Sequence, residues 1–559
     1  MAENKIYGID LGTTYSCIAY VDEHGKPVVV PNADNDLTTP SVVYFDSPGN
    51  IVVGETAKEV AETYPTQVVS TVKRVMGDTL WEFEYDGHIY TPQEISSHIL
   101  RKVVADAEAN TGHQIKDVVI TVPAYFGVNQ KEATKQAGEL AGLNVLYVIP
   151  EPTAAAISYG MEQEDDQVIL VYDLGGGTFD ITVIEVKKGA ITVICTGGDH
   201  QLGGRNWDEA LANYFAQCFS DQTGVSADDL TENPETWQEL LNSAEKCKKA
   251  LSTRTTILEK VSHEGERVKI ELNRGKFEEI TSNFMEQTIS MTEAILQTAK
   301  DKGYDHIDKL LLVGGSTYMP QVKEKLEQKF PFEIRLFDPN QSVAKGAAIF
   351  GYKCYLDEQI KIAIAEETGQ VAETLNLDSV NEMVFKEAQE KVALKHGLAL
   401  PGLKKLTETR ITNVTSKSFG IVVVINENGD EGVQNLIMID DTVPNNITRP
   451  FFTFADNQGG VTLRCMENTE RKGPDVPPIP QVEPTQEIGN AELRFSRSLP
   501  KGSPIEVTFS LAPDGLLSVY GKDLTTHGEI DAEFKTESIL SREELEEKKE
   551  HNLAINVSS

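Results

Sequence analysis

The chain has 559 residues, room for about three to five domains of ordinary size. Its 87 acidic against 51 basic residues leave a formal charge of −36, a surface that repels nucleic-acid phosphates and anionic lipid heads. Neither a nucleic-acid nor a membrane partner is expected, and the lack of a signal core or of any apolar run near ~20 residues points to the cytoplasm.

From the N-terminus, the apolar run Lys5–Asp10 reads as a strand ending in aspartate, followed by Leu-Gly-Thr-Thr and a second β-rich run, Ser16–Val21. The runs 116–122, 167–172 and 309–313 read as further strands, while 131–141 and 237–251 carry helical spacing. Alternating strands and helices over the first 353 residues predict an α/β architecture. One pattern recurs within it: Val168–Asp173 is again a strand ending in aspartate, followed by Leu-Gly-Gly-Gly-Thr and the β-rich run Phe179–Val186. Two distant copies of a strand–Asp–Gly–Thr hairpin predict a duplicated lobe with a cleft between the copies.

Residues 354–396 read as a charged helical insert, and 397–406, short, apolar and broken by Gly and Pro, as an interdomain linker. From 407 to 535 period-two runs separated by turn signals predict an all-β sandwich. Residues 473–486 are proline-rich and read as a mobile loop. The tail, 536–559, carries one helix start, Ser541 with Glu544 three residues on. The six cysteines are scattered without a C-x-x-C pair, a spacing that suits neither zinc nor a disulfide framework.

No Walker motif occurs, so an anionic ligand needs another cradle. Three glycine turns follow strands directly: Gly12-Thr13-Thr14, Gly175-Gly176-Gly177-Thr178 and Gly314-Gly315-Ser316. Glycine lets the backbone approach closely and aim successive N–H groups at phosphate. Asp10 and Asp173, at strand ends, suit a hydrated Mg²⁺ that bridges phosphates. A single such turn is more often an ordinary hairpin; the set of three is what points to a site. Glu245, Lys248, Lys249 and Ser252 at i, i+3, i+4 and i+7 line one helix face, either a solvated stripe or a binding wall.

The strings IDLGTTYS, VITVPAYF, NVLYVIPEPTAAAISYG, YDLGGGTFDIT, LVGGST and DNQGGVTL, in this order, resemble the DnaK-type 70-kDa heat-shock chaperone family. The resemblance is close to about residue 351 and looser over 412–521. It implies an actin-like ATPase domain of two ribonuclease-H-like lobes plus a β-sandwich that binds peptides, with ATP or ADP and Mg²⁺ as cofactors. In the catalytic site it implies that Asp10 and Asp173 order the metal shell, and that Thr13, Thr14 and Tyr15 with Gly175, Gly176 and Gly177 cradle the phosphates. Lys73 would hold the γ-phosphate and attacking water, assisted by Glu151 and Thr178, with Asp180 behind them. Glu245, Lys248, Lys249 and Ser252 would flank the adenosine opposite Gly314, Gly315 and Ser316.

Pro123 and Lys131 would relay the nucleotide state between domains. Val461 would line the peptide pocket, with Ile421, Phe451 and Leu463 as walls and Val424 and Phe454 as an arch. The implied function is an ATP-dependent chaperone in which hydrolysis switches the grip on extended apolar peptides. The alternative is a non-enzymatic nucleotide-binding regulator or exchange factor for another chaperone. Implied partners are unfolded peptide segments, J-domain co-chaperones and a nucleotide exchange factor. The sequence departs from the family at several places. Tyr318 replaces an adenine-stacking arginine, Lys131 an arginine, and Asn340 an aspartate. Tyr147 and Pro150 replace an arginine and an asparagine of the J-domain patch. Only a fragment of the family's helical lid is expected.

Overall fold

The structure, a computed structural model, describes residues 5–163, 165–187, 189–372, 375–473, 478–480, 486–512, 517–533 and 540–558. The expected proline-rich loop at 473–486 lies largely outside them, as do the turn at 513–515 and the start of the tail at 536–539.

The first apolar runs form β1 (Tyr7–Asp10), β2 (Tyr15–Val21) and β3 (Pro27–Val29). After a small sheet containing β4 (Asn50–Val53) comes α1 (Pro92–Thr111). A capping box between Thr91 and Glu94 starts this helix, and Gly112, left-handed at φ 70°, stops it. Then follow β5 (Asp117–Val122), α2 (Val128–Leu140), β6 (Asn144–Pro150) and α3 (Glu151–Gly160). The sheet order is β6-β5-β1-β2-β3, with β1–β2 antiparallel and β1–β5 and β5–β6 parallel.

The second half contains β7 (Gln167–Leu174), β8 (Phe179–Lys187), β9 (Ala190–Asp199), α4 (Pro234–Leu251), β10 (Lys309–Val313), β11 (Glu333–Leu336) and α5 (Ser342–Thr368). Its order, β11-β10-β7-β8-β9, repeats the first sheet strand for strand, with the same parallel and antiparallel pairings. Helices cover both faces, which is why Ile169, Leu170, Val171 and Tyr172 are all fully buried and the strand reads as an unbroken apolar run. Small residues let α3 and α5 cross between the halves. A Cβ on Gly346 of α5 would stand 1.7 Å from the Ala154 carbonyl oxygen, and one on Gly8 of β1 2.1 Å from the Ala348 nitrogen.

The charged segment after 354 begins as a continuation of α5 and includes α6 (Glu382–Lys395). The stretch read as an interdomain linker, 397–406, is mostly helical: α7 spans Leu400–Glu408. Leu400, Leu403 and Leu406 recur at helical spacing, and Pro401 falls in the first turn, where its missing N–H costs no hydrogen bond. Leu403 and Leu406 are buried in the same core as α3 and α5. The passage out of the α/β body is made by β12 (Arg410–Val414), which pairs in parallel with β9.

Beyond it lie β13 (Ser418–Val424), β14 (Glu431–Ile437), β15 (Asn445–Phe452), β16 (Gln458–Asn468), β17 (Gln486–Leu499), β18 (Pro504–Leu511), β19 (Leu517–Asp523) and β20 (Glu529–Glu533). They form two antiparallel sheets. One runs Ile479–Pro480, β14, β13, β16, β17 and the other β15, β18, β19, β20. Inward residues of both, among them Leu463, Phe509 and Val519, share one core. The tail then returns to the first half: α8 (Arg542–Ala554) packs on α1 and α2, and β21 (Asn556–Ser558) pairs in parallel with β4. Among the described residues no helix is long and apolar enough to cross a membrane. All six cysteines are free thiols.

Candidate functional site

The duplicated hairpins bring their turns face to face. β1 ends on Asp10 and turns through Gly12-Thr13-Thr14; β7 carries Asp173 near its end and turns through Gly175-Gly176-Gly177-Thr178. A Cβ on Gly176 would stand 1.8 Å from Thr14 Oγ1, and one on Gly177 2.3 Å from Thr13 Cγ2. Glycine here is a steric requirement of two loops in contact. The third turn, after β10, places Gly314 (φ 83°) against Asp173, while the Ser316 hydroxyl donates to the Gly175 carbonyl at 2.8 Å. A cavity of about 550 Å³ opens among the three turns, lined from both halves.

At its floor four carboxylates surround one cation. Glu151 is the first residue of α3, and Lys73 rises from the short turn Val72–Val75. Lys73 is only 4% exposed, and its ammonium bonds to the Glu151 carboxylate. Burial, with the Glu151 charge added, raises Asp10 to about 7, although Lys73 and the Thr121 hydroxyl oppose the shift. Burial and then Glu151 also push Asp173 and Asp180 well above the usual carboxylate range. One Asp180 oxygen accepts from the Ala124 N–H at 2.9 Å, and the other has no hydrogen-bond partner among the described residues. So much uncompensated acid calls for a bound cation. Among the described residues no three side chains of metal-ligating type converge closely enough to clamp one directly. Asp10 and Asp173, both lining the cavity, fit an ion that keeps most of its water, as Mg²⁺ does.

The outer wall comes from α4, whose Glu245, Lys248 and Lys249 line the cavity with Ser252 at its C-cap, opposite Gly314, Gly315 and Ser316. Lys248 is committed to Asp208 (2.7 Å) and the Gly204 carbonyl (3.1 Å), and Ser252 to the Lys248 carbonyl (3.3 Å). Glu245 and Lys249 instead join a bridge across the mouth. Lys58 of the first half and Lys249 each reach one Glu245 oxygen at 2.7 Å, and both donate to the Tyr15 hydroxyl, at 2.9 and 3.0 Å. Burial raises the Glu245 carboxyl, but the two ammonium groups outweigh it and hold it at about 2.

Pro123 follows the last residue of β5, one residue before the Ala124–Asp180 bond, and Lys131 lines a small cavity with Ala124, Thr153 and Asn413 at the foot of β12. The six residues read as a peptide pocket do not behave alike. Ile421 and Leu463 are buried in the sandwich core, Phe451 and Val461 pack at its border, and Val424 and Phe454 are exposed. Lys58, which lines the cleft, and Arg74, just behind it, are among the residues that escaped the sequence reading. Lys58 belongs to a surface-like helix, and its acidic partner lies 187 positions on. Arg74 donates from Nε to the Gly177 carbonyl at 3.1 Å and from Nη2 to Asn206 Oδ1 at 2.7 Å, and only its adjacency to Lys73 marked it.

Fold and site together define a two-halved α/β protein with an anion-cradling, acid-floored cleft, carrying a β-sandwich. A family model described as Hsp70 protein matches residues 6–84, 77–353 and 373–556, and the chain belongs to the Hsp70 family. That is a family of chaperones, generally ATPases that bind ATP or ADP with Mg²⁺ and engage unfolded peptides and co-chaperones.

Proposed function

We propose that this chain is a chaperone driven by ATP hydrolysis, with an actin-like body of two ribonuclease-H-like lobes at 1–353 and a peptide-gripping sandwich at 407–535. The observation that carries the reading is the Lys73–Glu151 pair, buried where the two aspartate-tipped hairpins converge. In this reading the backbone of Gly12, Gly175, Gly176 and Gly177, with the hydroxyls of Thr13 and Thr14, holds the phosphates. Gly314, Gly315 and Ser316 support the nucleoside side. Lys73 orients the attacking water and stabilises charge on the transferring phosphoryl oxygens. Glu151 holds that ammonium in place, and Thr178 completes the γ-phosphate cradle. Mg²⁺, bound through water to Asp10 and Asp173, would neutralise phosphate charge.

The product state is passed on through Asp180, Ala124 and Pro123, with Lys131 beside β12. The sandwich takes an extended apolar segment by strand-like backbone bonding, with Val461 at the pocket and Val424 and Phe454 exposed for contact. J-domain proteins and an exchange factor are the partners such a cycle uses, with Tyr147 and Pro150 altering the former's docking patch.

Single-turnover ATP hydrolysis tests the catalytic part. Lys73→Ala should lower the rate about 100-fold or more, the scale of losing one preorganised charge. Undiminished turnover in that variant would remove Lys73 from its role. Dissociation of a fluorescent peptide, timed with ATP and with ADP, tests the coupling, and equal off-rates would reject it.

A further inference from the structure

The Lys73 turn has a second side. Thr71, left-handed at φ 57°, starts the turn, so that Lys73 points into the nucleotide cleft while Arg74 leaves it. Beyond lies a separate cavity of about 260 Å³ lined by Ser70, Thr71, Arg74, Trp81 and Gln201. Ser70 and Thr71 also line the nucleotide cleft, so one short wall divides the two spaces. The rear cavity could hold several waters, or an oxyanion with part of its hydration.

Arg74 bars the way between the halves at this point. Among the described residues its side-chain hydrogen bonds all run to the second half: the Gly177 carbonyl (3.1 Å), the Gln201 carbonyl (3.3 Å) and Asn206 Oδ1 (2.7 Å). These acceptors are neutral, and Glu209 and Asp199 act on the guanidinium only through space, opposed by Arg205, so it stands as an unbridged cation at the edge of a cavity that also offers two hydroxyls. The front is different. There the Lys58–Glu245–Lys249–Tyr15 bridge closes the mouth, and a phosphate leaving that way would have to pass the remaining diphosphate.

We propose that the cleft has two product exits, and that orthophosphate leaves through the rear cavity under the control of Arg74 while ADP leaves through the front. This rests on the hydrolytic reading above: water adds to the γ-phosphorus, the bond to ADP breaks, and ADP and orthophosphate result. The freed anion moves one turn, from Lys73 past Ser70 and Thr71 toward the Arg74 guanidinium, which must first let go of Gly177, Gln201 and Asn206.

Stopped-flow measurement separates the exits. The full chain is loaded with ADP and orthophosphate, then mixed with excess fluorescent phosphate-binding sensor. A fluorescent ADP analogue reports nucleotide release in parallel. Arg74→Ala, which unpins the rear, should speed phosphate release about tenfold while ADP release stays within about twofold. Gln201→Glu, an exposed position where a carboxylate would clamp Arg74, should slow phosphate release, again without moving ADP. Lys58→Ala should do the reverse, speeding ADP alone. Phosphate release unchanged in both rear variants, equal shifts of both products, or no phosphate retained beside ADP would overturn the proposal. Rapid-quench assay of ATP cleavage in the same proteins tells the two readings apart. Cleavage with unaltered exit kinetics sinks only the exit, whereas no cleavage in the unmodified chain sinks the hydrolytic reading and this one with it.

Discussion

Glu245 is the residue on which closure of the front depends, because it alone answers two ammonium groups from opposite halves. Its side chain is 16% exposed and that of Lys58 20%, so the pair is only partly screened. Removing one partner should cost about 1–2 kcal/mol, less than for a fully buried pair. Lys58→Ala or Glu245→Ala should therefore release a fluorescent ADP analogue about tenfold faster. Because the folded carboxyl sits at about 2, below its unfolded value near 4.3, the bridge is intact above pH 4–5 and lost as pH falls toward 2. The bridge itself should thus add no pH dependence from pH 5 to 8, so Lys58→Ala should speed ADP release by the same factor throughout that window, and a factor that varies with pH there would show that another group closes the mouth. At this scale the sequence was legible wherever chemistry repeats locally. Asp10 and Asp173 announced themselves as copies, and Gly176 and Gly177 as turns. Lys58 and Arg74 did not, because each acts on groups more than a hundred residues away that only the fold brings near.

At the scale of elements, the tail is a latch. Arg101 of α1 donates to the Asn552 and Ile555 carbonyls at the end of α8, Asn552 Nδ2 donates to Ser97 Oγ at 3.0 Å, and Lys548 pairs with buried Glu94 at 2.7 Å. Arg101→Ala should raise hydrogen exchange of 542–558 about tenfold, the scale of one or two lost hydrogen bonds, and leave the cleft unaltered. Unchanged protection would mean that β21 and α8 hold without it.

The same junction gathers three histidines. His551 stacks on His88 with ring centroids 4.3 Å apart, His98 lies buried beneath Tyr90, and Arg101, Lys548 and Glu94 are the charges around them. Burial lowers His98 to about 3, and burial with the His88 charge lowers His551. A histidine held below its unfolded value near 6.5 contributes fully above that pH and loses its contribution as pH falls below it. Tail protection should hold at pH 7–8 and fall between 6.5 and 5; His551→Phe should flatten that fall. Helical runs with strong periodicity were readable in advance, but α7 was not. Gly and Pro in 397–406 suggested a break, while the leucine spacing that made a helix mattered only once α3 and α5 supplied a surface to bury it.

At the scale of the whole molecule, the sandwich grips both halves with one carboxylate each. Glu467 of β16 accepts from the Val128 N–H at 3.0 Å, at the start of α2 in the first half. Asp440, between β14 and β15, has a fully buried side chain; it accepts from the Thr196 N–H of β9 at 3.3 Å and pairs with Arg471 and, at 3.7 Å, with Lys302. Because the halves meet through the α3–α5 crossing, any change in cleft angle moves Val128 relative to Thr196. A rigid sandwich then cannot satisfy both carboxylates. Docking of the sandwich would then depend on cleft angle, a coupling that loss of either carboxylate should break.

Asp440→Ala removes the second-half grip and strands Lys302 and Arg471, each about a third or more exposed. The cost should be near 2 kcal/mol, below the 3–5 of a fully buried pair, or about thirtyfold in the docking equilibrium. Limited proteolysis at 409–417 should then become fast and lose any dependence on ATP, while single-turnover hydrolysis persists. Glu467→Ala should give the same pattern from the other half, and the double variant should add little, since one broken grip already frees the sandwich. Cleavage that stays slow and nucleotide-dependent in both single variants would show that the strand pairing of β12 with β9, and not the two carboxylates, holds the domains together.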